Sequence, residues 1–201
     1  PARPRDEVRR ELGLEADAVA FATVARLFER KGHDDVLAVA PEVLRREPRA
    51  RFVFIGDGVL RGALESEVAR LGLSDAFRFT GLVPPGRIPE LLNAVDAVIH
   101  PSLREGLARV LPQSLLTGRP AISYDVDGAR EVIGPETGVL LRPRDLKGLA
   151  DAVVRLAGDA ALRDRMGATG RARCERLFRH ETMSDQLHSL YEDVLAARRP
   201  E

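Results

Sequence analysis

The stretch "AVAFATVARLFERKGHDDVLAVAPEVLRREPRARFVFIG", residues 18–56, decides the fold. It opens on a short apolar run at 18–25, crosses a charged loop ending in Lys31-Gly32, continues in a helical pattern, and closes on a second apolar run at 51–56. Short runs rich in Val, Ile or Phe, bounded by glycine and charge, read as strands buried on both faces. Strand, helix and strand joined by short connections imply neighbouring parallel strands.

The same rhythm continues. "FRFTG" (77–81), "AVIHP" (97–101), "PAISYD" (120–125) and "TGVLL" (137–141) supply four more candidate strands, and helical patterns lie between them, among them "VLRGALESEVARLGL" (59–73) and "ARVLPQSLLTG" (108–118). Past Leu141 the pattern is wholly helical. The fold class expected is therefore α/β, a doubly wound parallel sheet with extra C-terminal helices. Residues 1–160 form the ligand-binding unit in this reading. Residues 161–201 form helices that pack on it or on a domain absent from this chain. The opening "PARPRDEVRREL" lacks an initiator Met and reads as a cut from something larger.

Composition excludes several classes. Thirty-one basic and 31 acidic residues cancel, so nothing supports long-range attraction to nucleic acid or to an anionic membrane. The single cysteine, Cys174, rules out an internal disulfide and any multi-cysteine metal site, and reads as an ordinary packed or surface thiol. No apolar run approaches the roughly 20 residues of a membrane span, and no secretory signal is visible. A cytoplasmic location is expected.

In open parallel sheets, ligands bind beyond the carboxyl ends of the strands. Those tips read "ARLFERKG" (25–32), "GDG" (56–58), "GLVPPG" (81–86), "HPSLREG" (100–106) and "DVDGARE" (125–131), with glycine in each. Glycine lets a ligand approach backbone N–H groups, and Arg26 and Lys31 place two cations at the first tip. The set describes a pocket for a phosphorylated, polyhydroxylated ligand. Pro112 belongs in a first helical turn, so the next helix should start near Leu107 to Arg109, with its free N–H groups beside Gly106, and Gly118 should end it. Glu105 has two open readings, a ligand contact or a helix cap. His100 either lines the cleft or is packed, and His33 opens a helix. The four histidines show no metal-ligand spacing, and no metal or cofactor is expected.

Five segments in order, "VARLFERKGHDDVL", "FIGDGVLRGALE", "FRFTGLVP", "DAVIHPSLREG" and "GRPAISYDVDGAREVI", make the chain resemble, over nearly its whole length, the C-terminal half of the group 1 (family four) glycosyltransferases. Those enzymes have the GT-B fold, two Rossmann-like domains facing across a cleft. The resemblance implies a donor domain for a nucleoside diphosphate sugar, in a retaining transferase of polysaccharide or glycoconjugate biosynthesis. Its partners would be the nucleotide sugar, an absent N-terminal acceptor domain, and a peripheral-membrane or lipid-linked acceptor in the full-length protein. It also implies roles. Arg26 and Lys31 would clamp the diphosphate and Glu105 would bind sugar hydroxyls. Gly56, Gly58, Gly106, Leu107 and Ala108 would let the donor approach the backbone, with Leu82 and Val83 near the base.

Three departures qualify it. The family pattern E-x7-E reads E-x7-Q here, with Gln113 eight positions after Glu105. Gln keeps one acceptor but loses the charged two-oxygen grip on ribose, so a Gln113→Glu change is expected to tighten nucleotide binding. Ala108 replaces a common glycine. "DVDG" replaces D-V-G-G, and its two carboxylates read as loop hydrogen-bonders rather than a metal-binding D-x-D. A non-catalytic sugar-nucleotide binder or a GT-B epimerase is the alternative that Gln113 keeps open. A nicotinamide-binding domain is disfavoured, because "RLFERKGHDD" contains no G-x-G-x-x-G.

Overall fold

The computed structural model describes residues 3–106 and 108–197. In chain order the elements are α1 (Arg5–Glu11), β1 (Val19–Val24), α2 (His33–Arg46), β2 (Ala50–Ile55), α3 (Arg61–Arg70), β3 (Phe77–Phe79), α4 (Ile88–Ala94) and β4 (Ala97–His100). They continue as α5 (Val110–Leu116), β5 (Ala121–Tyr124), α6 (Ala129–Val132), β6 (Gly138–Leu141), α7 (Leu146–Gly158), α8 (Ala160–Leu177) and α9 (His180–Ala197). The six strands form one all-parallel sheet in the order β3-β2-β1-β4-β5-β6. The chain starts in the middle and winds outward both ways, the doubly wound topology expected.

Both faces of the sheet are covered, which is why the strands read as continuous apolar runs. Alternate residues serve opposite layers. Val19, Phe21, Phe52, Phe54, Ile99 and Ile122 pack under α2, α3 and α7, with Phe52 stacked on Phe77 at 4.9 Å between ring centroids. Their neighbours Ala20, Ala22, Val53 and Ile55 pack under α1 and α4, and Val98 and Ala121 under α5, α6 and α8.

Close backbone approach seats α8 against α5. A Cβ at Gly167 would lie 2.1 Å from the Gly118 carbonyl oxygen, and one at Gly170 would lie 2.6 Å from a methyl of Leu115. Cys174, in the same contact, is 1% exposed, and burial pushes its thiol up to about 11. In α9 the positions 187, 190, 191, 194 and 195 form an apolar stripe at helical spacing, yet Leu187, Leu190, Tyr191, Val194 and Leu195 are all exposed. Among the described residues no helix is long and apolar enough to cross a membrane.

Candidate donor-binding site

The carboxyl ends of β1 and β4 are adjacent because these strands pair at the centre of the sheet. Gly32 lets their loops meet. Its φ is 75°, and a Cβ there would lie 2.1 Å from the Pro101 carbonyl oxygen, so only glycine fits both the turn and the approach. The Leu103 N–H donates to the Arg30 carbonyl at 2.8 Å, fastening one loop to the other. This contact carries Lys31 to Glu105, 74 residues away in sequence, where the ammonium donates to the carboxylate.

The loop after β5 holds Glu105 from the other side. Asp127, at φ 47°, accepts the Glu105 N–H at 2.6 Å, and the Gly128 N–H donates to the Gly106 carbonyl at 3.2 Å. Asp125 instead takes the fork of Arg130 at 2.5 and 3.0 Å. Both carboxylates of "DVDG" are thus engaged as loop hydrogen-bonders. Helix α5 has Arg109 at its N-cap without a side-chain cap, so the capping reading of Glu105 is wrong: its carboxylate goes to Lys31. The helix begins at Val110, one residue past the expected range, with Pro112 in its first turn as anticipated. Gly118, at φ 71°, ends it, and the Arg119 N–H donates to the Ser114 carbonyl at 3.0 Å.

A cavity of about 420 Å³ opens at this rim. Arg26, Lys31, His100, Glu105, Ala108, Arg109 and Gln113 line it, with Val83 and Ile88 as an apolar wall. The Arg26 guanidinium lies over the Phe28 ring, 4.9 Å from its centroid, a cation–π placement that leaves its donors free. Among the described residues neither Arg26 nor Arg109 has a carboxylate partner. Burial by itself would raise the Glu105 carboxyl. Hydrogen bonds from Lys31 and Ser102, with the field of the Lys31 ammonium, outweigh burial and hold it below the usual carboxylate range. His100 is 3% exposed, and burial pushes its imidazole down to about 4, against the opposing pull of Glu105. Its Nε2 stands 3.6 Å from the Glu105 carboxylate, beyond hydrogen-bond reach, so at neutral pH it is an uncharged wall of the cavity.

The structure brings Arg26, Lys31, Glu105, Val83, Ala108 and Gln113 together on this cavity. Gly106 adjoins it, with nothing within 4 Å of where a Cβ would stand. Leu107 lies outside the described residues. Leu82 is 85% exposed and lines a neighbouring cavity with Arg78 and Arg87. Gly56 and Gly58 are not on the cavity wall; Cβ atoms there would lie 2.1 Å from the Ala25 carbonyl oxygen and 2.4 Å from that of Leu27. Those glycines pack the β2 exit against the loop that carries Arg26. Arg109 is the residue that sequence reasoning missed. The signal in the sequence is its position just after Gly106, at the start of α5.

Comparison with known proteins decides the family. The family model described as "Glycosyl transferases group 1" matches residues 4–173. The chain belongs to the group 1 glycosyltransferases. A similar curated protein is the 2-deoxystreptamine N-acetyl-D-glucosaminyltransferase of Streptomyces fradiae, 33% identical over 195 residues, covering 89% of this chain and 46% of that one. The chain spans about half the length of the curated relatives it matches. Among solved structures, HepE of Anabaena in complex with UDP superposes with a TM-score of 0.86 at 23% identity, covering 94% of this chain and 52% of that one. The C-terminal domain of LpcC, a group 1 glycosyltransferase family protein of Francisella tularensis, superposes with a TM-score of 0.79 at 22% identity, covering 90% and 95%. At 23% and 22% identity these two likenesses show the fold, the doubly wound parallel sheet.

Proposed function

We propose that this chain is the donor half of a retaining glycosyltransferase and that the cavity at the β1–β4 rim holds a nucleoside diphosphate sugar. The observation that carries the reading is the convergence of Arg26, Lys31 and Glu105 on one cavity, with Glu105 already held by Lys31 and by the Asp127 loop. Arg26 offers a planar fork and Lys31 a point charge to the diphosphate oxygens. As the bond from the anomeric carbon breaks, its electron pair stays on the diphosphate oxygen, and a cation fixed there before reaction stabilises that charge. Glu105 accepts hydroxyls of the sugar, Gln113 meets the ribose, and backbone near Leu82 and Val83 reads the base.

The acceptor belongs to an N-terminal domain in this reading. The exposed stripe of α9 supports it, since Leu187, Leu190, Tyr191, Val194 and Leu195 form an apolar face of the kind that packs on another domain. HepE is a protein solved with UDP, which makes UDP the first nucleotide to try. Calorimetry with UDP, GDP and ADP tests the assignment. At least one should bind; no heat with any of them, while circular dichroism shows an intact fold, discards the donor site.

A further inference from the structure

Two of the cavity's residues stand one turn apart on the same element. Arg109 is the N-cap of α5 and Gln113 lies four residues on, its N–H donating to the Arg109 carbonyl at 3.2 Å. Both side chains are exposed and both line the cavity. Side chains four apart at a helix start are neighbours, so a carboxylate at 113 would sit within reach of the Arg109 guanidinium. With glutamine there, Arg109 has no carboxylate partner among the described residues. Lys31 is different, because its charge is already matched by Glu105. The uncompensated positive charge of the cavity therefore rests on Arg26 and Arg109, which matches in sign and size the two charges of a diphosphate ester.

We infer that Arg109 is a third cationic contact to the diphosphate and that Gln113 is the residue that leaves it free for this work. The inference rests on the donor-site reading above. Arg109 and Gln113 then act as one exchange: an acid that would grip ribose is given up, and a guanidinium that the acid would have neutralised turns to phosphate. This reverses the sign expected for restoring the acid. Gln113→Glu supplies a carboxylate to the ribose, but it also sets an acid one helical turn from Arg109 to compete with the diphosphate for its guanidinium, and the loss of a charge-assisted phosphate bond outweighs the gain of one hydroxyl contact.

The test is a double-mutant cycle read by calorimetry. UDP, GDP and ADP are titrated into the unsubstituted chain, and the tightest is carried forward beside its uncharged nucleoside. Arg109→Ala should weaken the diphosphate by about 10-fold or more and leave the nucleoside within about 2-fold. Gln113→Glu should weaken the diphosphate, whereas Gln113→Glu placed on Arg109→Ala should tighten it, because the acid then has only ribose to meet. Arg109→Lys should recover part of the loss. Thermal melting of each variant separates misfolding from lost contact. Gln113→Glu binding the diphosphate more tightly than the unsubstituted chain, or Arg109→Ala binding it equally well, overturns the inference while the donor site stands. Absence of diphosphate binding by the unsubstituted chain overturns both.

Discussion

The two halves of the sheet's carboxyl rim carry the same sequence signal and use it differently. At β1 and β4, glycine brings two loops together so that Lys31 and Glu105 meet over an open cavity. At β2 and β3, Gly56 and Gly58 are equally tight and likewise admit the protein's own backbone, at Ala25 and Leu27, but the approach brings no pair of charged side chains over a cavity. Gly56 and Gly81 form an isolated bridge there, and the Leu27 N–H donates to the Asp57 carbonyl at 2.9 Å. The lesson is that a glycine-rich tip marks a close approach without saying what approaches. The β1–β4 half is built to present charged side chains, and the β2–β3 half is built to brace the loop that carries Arg26.

Breaking the first half should cost most. Gly32→Ala sets a Cβ against the Pro101 carbonyl at a left-handed φ, and overpacking plus backbone strain should destabilise the fold by about 3–5 kcal/mol. Denaturant midpoints would register this, and an unchanged midpoint would contradict the account of the loop contact. Acid comes next. His33 and His100, one beneath each half, are both held neutral by burial near 4, against an ordinary 6.5. Because their folded pKa is depressed, the unfolded chain binds protons first as pH falls from 6.5 toward 4. Each imidazole should therefore remove stability on the order of 3 kcal/mol across that window. Glu105, also held low, adds to the loss only as pH falls below about 4.5. Melting temperatures between pH 7 and 4 give the profile, and a flat one would show that these rings are hydrated or paired.

A smaller effect separates contact from bracing. Lys31→Ala should weaken nucleoside diphosphate binding by about 10- to 100-fold, the span of a charge-assisted hydrogen bond, and leave Glu105 without its partner. Smallest of all is Leu82→Ala. The side chain is 85% exposed on a neighbouring cavity, so stability should move by less than about 0.5 kcal/mol and nucleotide affinity by less than about 2-fold. A large affinity loss at Leu82 would extend the functional rim to the β2–β3 half.

Much of this was legible because burial on two faces leaves a plain mark. Apolar runs at 18–25, 51–56 and 97–101 became Val19–Val24, Ala50–Ile55 and Ala97–His100, with no boundary moved by more than one residue. Pro112 and Gly118 bracketed α5 through their backbone chemistry alone. What stayed hidden was pairing over distance. Nothing local says that Lys31 finds Glu105 or that Asp127 takes the Glu105 N–H, since both depend on which loops the sheet order makes adjacent. The stripe of α9 was visible as a helix but not as an uncovered one, because amphipathic spacing does not name the surface that covers it.

The central claim is tested most directly by a crystal structure of this chain with whichever of UDP, GDP and ADP binds most tightly. The account predicts diphosphate oxygens between the Arg26 guanidinium and the Lys31 ammonium, within hydrogen-bond distance of both, in the cavity walled by His100 and Glu105. A nucleotide seated elsewhere on the molecule, or one in this cavity with its phosphates turned away from both cations, would contradict it.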